Sequence, residues 1–397
     1  MLSLLLLSTA LLAPQDPPPA DDRFALALFA QLRERPGNLF LSPHSVDVAL
    51  SMALAGAGGE TAAQMAALLG VPPDQAAARA RRLAQALAPR YSKVRDAAPG
   101  QEPVPPYEFD LVNAAWAAAG QSLEPAYLDT LEEGFGAPLL RVDFTRAEAA
   151  AAEINAWAKG RTDGRIDPLV AAEDFDPNTA LVLVNAIRFR SPWQAGFSER
   201  QTHQAAFKTS AGREVEVPMM RRQEVYGYAE TEALQAVELD YRGRQLSMLV
   251  LLPKQADGLP ELEATLTAAG LRRLDSALAP TGVDLRLPRF RVDSSFRLDQ
   301  PLKDAGMPDA FDGARADFSG IADERLWVSA VLHQASVAVD EKGTEASAAT
   351  AVVLEKRAGI PRSEVGFTAD HPFLFLIRHR ATGTLLFLGR VADPTAG

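Results

Sequence analysis

Phe24, Leu28 and Leu32 fall on one stripe at helical spacing, and Arg35-Pro36-Gly37-Asn38 ends the pattern, so a helix is predicted over residues 22–32. A short apolar strand, Leu39-Phe40-Leu41, runs into Ser42-Pro43, a capping residue followed by proline in the first helical turn. The helix so opened is predicted from Ser45 to about Ala57, where Gly58-Gly59 stops it, and a second from Thr61 to Leu69. Further on the pattern predicts a strand over 107–118, helices over 124–133 and 147–159, and a buried strand over 180–189. Residues 215–252 are strand-rich, with 246–252 buried, and 259–269 reads as one helix. After Val283 come a strand, a helix over 298–305, another strand, and two terminal strands over 373–378 and 384–390 joined by Ala381-Thr382-Gly383. Strands and helices in no repeating βα order indicate an α+β fold, and no linker or repeat divides residues 22–394, which are expected to form one domain.

One segment fits two patterns. From Gly343 the run Thr344-Glu345-Ala346-Ser347-Ala348-Ala349-Thr350-Ala351-Val352-Val353-Leu354 places small or apolar residues at every even position, as a strand with one buried face requires. The same run is rich in alanine, the best helix former, so a surface helix or a flexible linker is an equal reading. It leads to Lys356-Arg357-Ala358-Gly359-Ile360-Pro361, a dibasic step and a turn, which is an exposed substrate for a trypsin-like protease.

Composition narrows the functions. A net charge of -11 over 397 residues argues against a nucleic-acid binder. Arg79, Arg81 and Arg82 form a local basic stretch, readable as a solvated helix face or as a contact for a polyanion. The chain has no cysteine, which removes disulfides and thiolate chemistry. Residues 1–13 are apolar over the length of a secretory signal and too short to span a bilayer, so export to the periplasm or the outside is expected, with 14–21 a Pro-rich spacer. No G-x-S-x-G, H-E-x-x-H, P-loop or dinucleotide fingerprint is present, and the five histidines show no ligand spacing, so neither an enzyme, a metal site nor a cofactor is expected. His333, in an apolar strand, reads as a hydrogen-bonded core residue.

Four blocks in order carry a resemblance. They are Asn38-Leu39-Phe40-Leu41-Ser42-Pro43-His44-Ser45-Val46, Val184-Asn185-Ala186-Ile187-Arg188-Phe189-Arg190-Ser191-Pro192-Trp193, Leu287-Pro288-Arg289-Phe290 and Phe367-Thr368-Ala369-Asp370-His371-Pro372-Phe373. With Phe387-Leu388-Gly389-Arg390-Val391 they resemble the serpin family over nearly the whole chain from residue 22. The resemblance implies three β-sheets, about nine helices and an exposed reactive loop at about 341–362. It also implies an inhibitor that acts once. A protease attacks the bait bond, and the cleaved loop then inserts into the central sheet with the acyl-enzyme attached.

By position, the resemblance assigns Arg357-Ala358 as the reactive bond, with Lys356 and Arg362 as alternatives, and a trypsin-like serine protease as the covalent partner of a monomeric inhibitor. The hinge is Gly343, Thr344, Glu345, Ala346, Ser347, Ala348, Ala349 and Thr350. Ser42, Ser45, Asn185 and His333 match a polar shutter under the central sheet, and Glu341, Arg289 and Trp193 match the breach where the loop enters. Inserting residues 343–357 at about 3.3 Å each lays down a strand of roughly 50 Å, enough to carry a protease across a domain. The other functional class is a non-inhibitory member, a binding or carrier module with a merely cleavable loop; the small hinge residues favour inhibition.

Overall fold

The computed structural model describes residues 22–89, 106–162, 168–345 and 365–396. The leader 1–13, the spacer 14–21, the hinge positions Ala346 to Thr350 and the bond residues Lys356, Arg357, Ala358 and Arg362 lie outside them.

In chain order the helices are α1 (Arg23–Leu32), α2 (Pro43–Leu54), α3 (Gly59–Leu69), α4 (Pro73–Ala86), α5 (Pro125–Phe135), α6 (Ala147–Arg161), α7 (Leu259–Thr265), α8 (Ala268–Ala277) and α9 (Asp299–Asp304). The strands are β1 (Leu39–Leu41), β2 (Glu108–Ala118), β3 (Leu139–Val142), β4 (Leu181–Pro192), β5 (His203–Lys208), β6 (Glu214–Glu230), β7 (Leu234–Asp240) and β8 (Leu246–Pro253), followed by β9 (Ala279–Pro288), β10 (Phe290–Arg297), β11 (Val328–Val339), β12 (Gly343–Thr344), β13 (Val365–Thr368), β14 (Phe373–His379) and β15 (Leu385–Val391). Local signals set several ends. The Ser42 hydroxyl caps α2 by accepting from Ser45 N at 3.2 Å with Pro43 in the first turn. Gly70, at φ 66°, closes α3 in the left-handed region.

Residues 259–269 are two helices rather than the single one expected. Leu266 leaves helical geometry, and Thr267 restarts the helix by accepting from Gly270 N at 3.0 Å. β13 was not foreseen; at four residues it is too short to show a period, and its parallel pairing with β9 holds it.

Two sheets result. One has nine strands in the order β1-β15-β14-β8-β7-β6-β9-β13, with β5 paired to β6. The resemblance implies three sheets; here two of them are joined because the 17-residue β6 pairs with β5, β9 and β7 along its length. The six-stranded sheet runs β10-β11-β12-β4-β2-β3. At its centre β4 and β11 lie parallel, from Leu181 beside Val328 to Arg188 beside Ser336.

The six-stranded sheet is covered on both faces. On one, Val182, Val184, Ala186, Ala330 and Leu332 pack with Ala150, Ile154 and Ala158 of α6. On the other, Ile187, Phe189, Ala335, Val337 and Val339 meet Phe40, Phe375 and Phe387 from the nine-stranded sheet. Each fully buried aliphatic or aromatic side chain there contributes about 1.5–3 kcal/mol. Beyond the cover of α6, Arg188, Arg190, Gln334, Ser336 and Ala338 continue the outward-facing rows and are half-buried.

Candidate functional site

The seam between β4 and β11 has an open end and a closed one. Above Arg188 and Ser336 the two strands part and β12 lies between them, antiparallel to both, with Gly343 opposite Pro192 and Thr344 opposite Ser191 and Val339. A tight turn delivers it: the Asp340 carboxylate accepts from Lys342 N at 2.8 Å and Gly343 N at 3.1 Å, and Asp340 N donates to Gly343 O at 2.9 Å. A Cβ on Gly343 would stand 2.2 Å from Ser191 O, so only glycine passes there.

Thr344 is fully buried, and its hydroxyl is 2.6 Å from the phenol oxygen of Tyr241. Burial pushes the Tyr241 phenol well up, so it stays neutral. Trp193 stacks on Tyr241 with ring centroids 4.6 Å apart; it donates from Nε1 to Asp340 O and from its backbone N to Lys342 O, each at 2.9 Å. Glu341 turns its buried carboxylate to Arg289, whose Nε donates to both oxygens at 2.8 Å, and to the hydroxyl of Thr202 at 2.5 Å. Burial alone would raise the Glu341 pKa, but the hydrogen bonds from Arg289 and Thr202 hold it below the usual carboxylate range. Glu341, Arg289 and Trp193, which the resemblance grouped, lie together at the open end of the seam. Thr202 and Tyr241 complete the cluster and were not foreseen.

Glu345 follows with φ at 43°, and its N–H donates to Ala338 O at 2.7 Å. Its carboxylate pairs with Arg188, and the Ser336 hydroxyl is 3.2 Å from its Oε1.

Beneath the seam lies a second cluster. Ser42 N donates to His333 Nε2 at 3.0 Å, so that nitrogen carries no proton, and Nδ1–H faces Asn185 Oδ1. The Asn185 amide donates to Ser45 Oγ and Asn113 Oδ1, while Ser42 Oγ donates to Leu386 O at 2.8 Å. Burial lowers the His333 pKa to about 3. All four residues expected there come together, joined by Asn113. That residue is opposite Asn185 in the β2–β4 register, and a lone Asn within the apolar run of residues 111–118 was the available signal.

The basic stretch divides. Arg79 is committed to Asp47 and, at 3.0 Å, to Leu69 O, whereas Arg81 and Arg82 stand exposed on α4. Among the described residues no group of histidines and carboxylates could hold a metal, and no helix is long and apolar enough to cross a membrane.

A parted seam, a strand already started within it and a buried polar cluster beneath it define the class. The chain belongs to the serpin family: the family model described as serpin (serine protease inhibitor) matches residues 19–394. An uncharacterised serpin-like protein of Thermococcus kodakarensis is 37% identical over 381 residues, covering 95% of this chain and 86% of that protein. The leukocyte elastase inhibitor of Bos taurus is 37% identical over 393 residues, covering 94% and 98%. The structure of uncleaved ovalbumin superposes with a TM-score of 0.81 at 28% identity, over 94% of this chain and 98% of that one. The native thermophilic serpin tengpin gives 0.82 at 26%, over 94% and 92%. The fold is the α+β serpin fold, and the relatives support protease inhibition rather than catalysis.

Proposed function

We propose that this protein is a single-use inhibitor of a trypsin-like serine protease, cleaved at Arg357-Ala358 and trapping the acyl-enzyme by inserting its loop between β4 and β11. The observation that carries this reading is the two-residue strand Gly343–Thr344, set antiparallel between two otherwise adjacent strands. Thr344 meets the packing condition for insertion, being small and satisfied by Tyr241. An arginine before the bond fits an acidic specificity pocket. The Ser42, Ser45, Asn113, Asn185 and His333 cluster would rearrange as the strands part, and Glu341 with Arg289 would anchor the fixed end of the loop. The apolar leader 1–13 supports an exported, periplasmic or secreted protein.

Incubating the full chain with trypsin tests the reading. A covalent adduct that survives boiling in detergent, and a released C-terminal peptide beginning at Ala358, are expected. Clipped product alone at every ratio, with no gain in thermal stability after the cut, would leave a carrier module with a cleavable loop instead.

A further inference from the structure

The registers around β12 fix where each loop residue stands once the strand lengthens. Gly343 opposite Pro192 and Thr344 opposite Ser191 sum to 535, so residue 345 belongs opposite Arg190 and residue 347 opposite Arg188. Against β11, Thr344 opposite Val339 sums to 683, which puts 345 opposite Ala338 and 347 opposite Ser336. The Glu345 backbone already occupies its own place, since its N–H bonds Ala338 O. Its side chain does not. With φ at 43° it reaches two positions ahead along the outward face, into the gap between Arg188 and Ser336 where the parallel pairing of β4 and β11 resumes. The carboxylate is 2% exposed there, and Arg188 is its ion-pair partner. Ser336 Oγ lies between it and Asp293, at 3.2 Å from Glu345 Oε1 and 2.5 Å from Asp293 Oδ1.

Resting on the loop-insertion reading, we propose that Glu345 is a stop: Arg188 holds its carboxylate across the seam beside Ser336, in the slot that position 347 takes on insertion. The strand advances only when Glu345 leaves that slot and straightens. It then stands opposite Arg190, which is paired with Glu108 in the resting state. Arg188 and Arg190 are thus successive positioning residues for one carboxylate, the first opposing premature insertion and the second receiving the side chain afterwards.

The stop can be tested on uncleaved full-length protein with a synthetic peptide copying residues 346–357, which enters the seam as an added strand. Uptake is read from the rise in thermal transition with time, and trypsin adduct formation is measured in parallel. Arg188→Gln and Glu345→Gln are each expected to take up the peptide roughly tenfold faster than the parent, as losing a largely buried ion pair implies. The charge swap Arg188→Glu with Glu345→Arg should return the rate towards that of the parent, which a purely structural loss would not do. Equal or slower uptake in both single variants, no uptake by any protein, or a swap as fast as the single variants overturns the stop. If the parent forms no adduct but the single variants take up peptide faster, the inhibitory reading falls and the stop stands. Adduct formation with unchanged uptake gives the reverse.

Discussion

The backbone N–H of Ser42 donates to Nε2 of His333 at 3.0 Å, which leaves the imidazole no vacant nitrogen for a second proton. Nδ1 is already turned to Asn185, and the ring is buried. The neutral form is therefore built into the ground beneath β4 and β11.

Stability should fall with acid for this reason. The folded His333 pKa is lowered to about 3, so the unfolded chain binds the extra proton first. The contribution is fully present above the ordinary histidine value of about 6.5 and is lost as the pH falls below it, at up to about 1.4 kcal/mol per pH unit. His44, held down to about 4 by burial and by the Arg79 charge, adds in the same sense. Urea unfolding between pH 8 and 4 should show the slope, and His333→Gln should remove its own share while leaving that of His44.

Thr344→Glu should convert the inhibitor into a substrate. The side chain at 344 is fully enclosed beside Tyr241, where an unpaired carboxylate costs several kcal/mol. That cost expels residue 344 from the seam in the resting state, so it must be returned there during trapping. Each 1.36 kcal/mol on that step is tenfold in rate, and the trapped fraction should drop by at least about tenfold in favour of clipped product. Gel densitometry over a range of inhibitor to trypsin ratios measures the partition, and an unchanged ratio would exclude entry of residue 344 as part of trapping.

Gly343→Ala should loosen the open end of the seam. Its Cβ would collide with Ser191 O and, at 2.6 Å, with Pro192 Cα, both backbone atoms that cannot rotate away. Overpacking of this kind costs about 1–3 kcal/mol, and the thermal transition should drop accordingly.

Removing Arg289 exposes the other end of the hinge. In Arg289→Ala the buried Glu341 carboxylate keeps the Thr202 hydroxyl and its own backbone N–H, and a loss of about 1–2 kcal/mol is expected because the guanidinium is 43% exposed. Glu341 has a depressed pKa in the fold, so its contribution exists above the unfolded value and is lost as the pH falls through the folded one. The difference between parent and variant should therefore shrink below about pH 4. Denaturation of both proteins across that range checks the crossing.

Periodicity made most elements legible, because one-sided burial leaves a pattern in each strand or helix separately. The break at Leu266 and Thr267 was hidden because apolar spacing continues through it; only the capping threonine marks the restart. Residues of the shutter and breach were legible by resemblance, since their spacing along the chain carries no sign of contact. Asn113, Thr202 and Tyr241 escaped because each is brought in by a neighbouring strand or turn. The position of Glu345 could not be read from sequence, since a period of two says which face a residue takes and not how far its side chain reaches along that face.

The parallel pairing at the centre of the six-stranded sheet has a last consequence. β10, β11, β4 and β2 alternate in direction except where β11 meets β4, and parallel ladders are slightly the weaker kind. A strand entering there runs against both neighbours, as β12 does, and replaces one slanted ladder by two perpendicular ones. The six-stranded sheet is thus one antiparallel strand short of full alternation from β10 to β2.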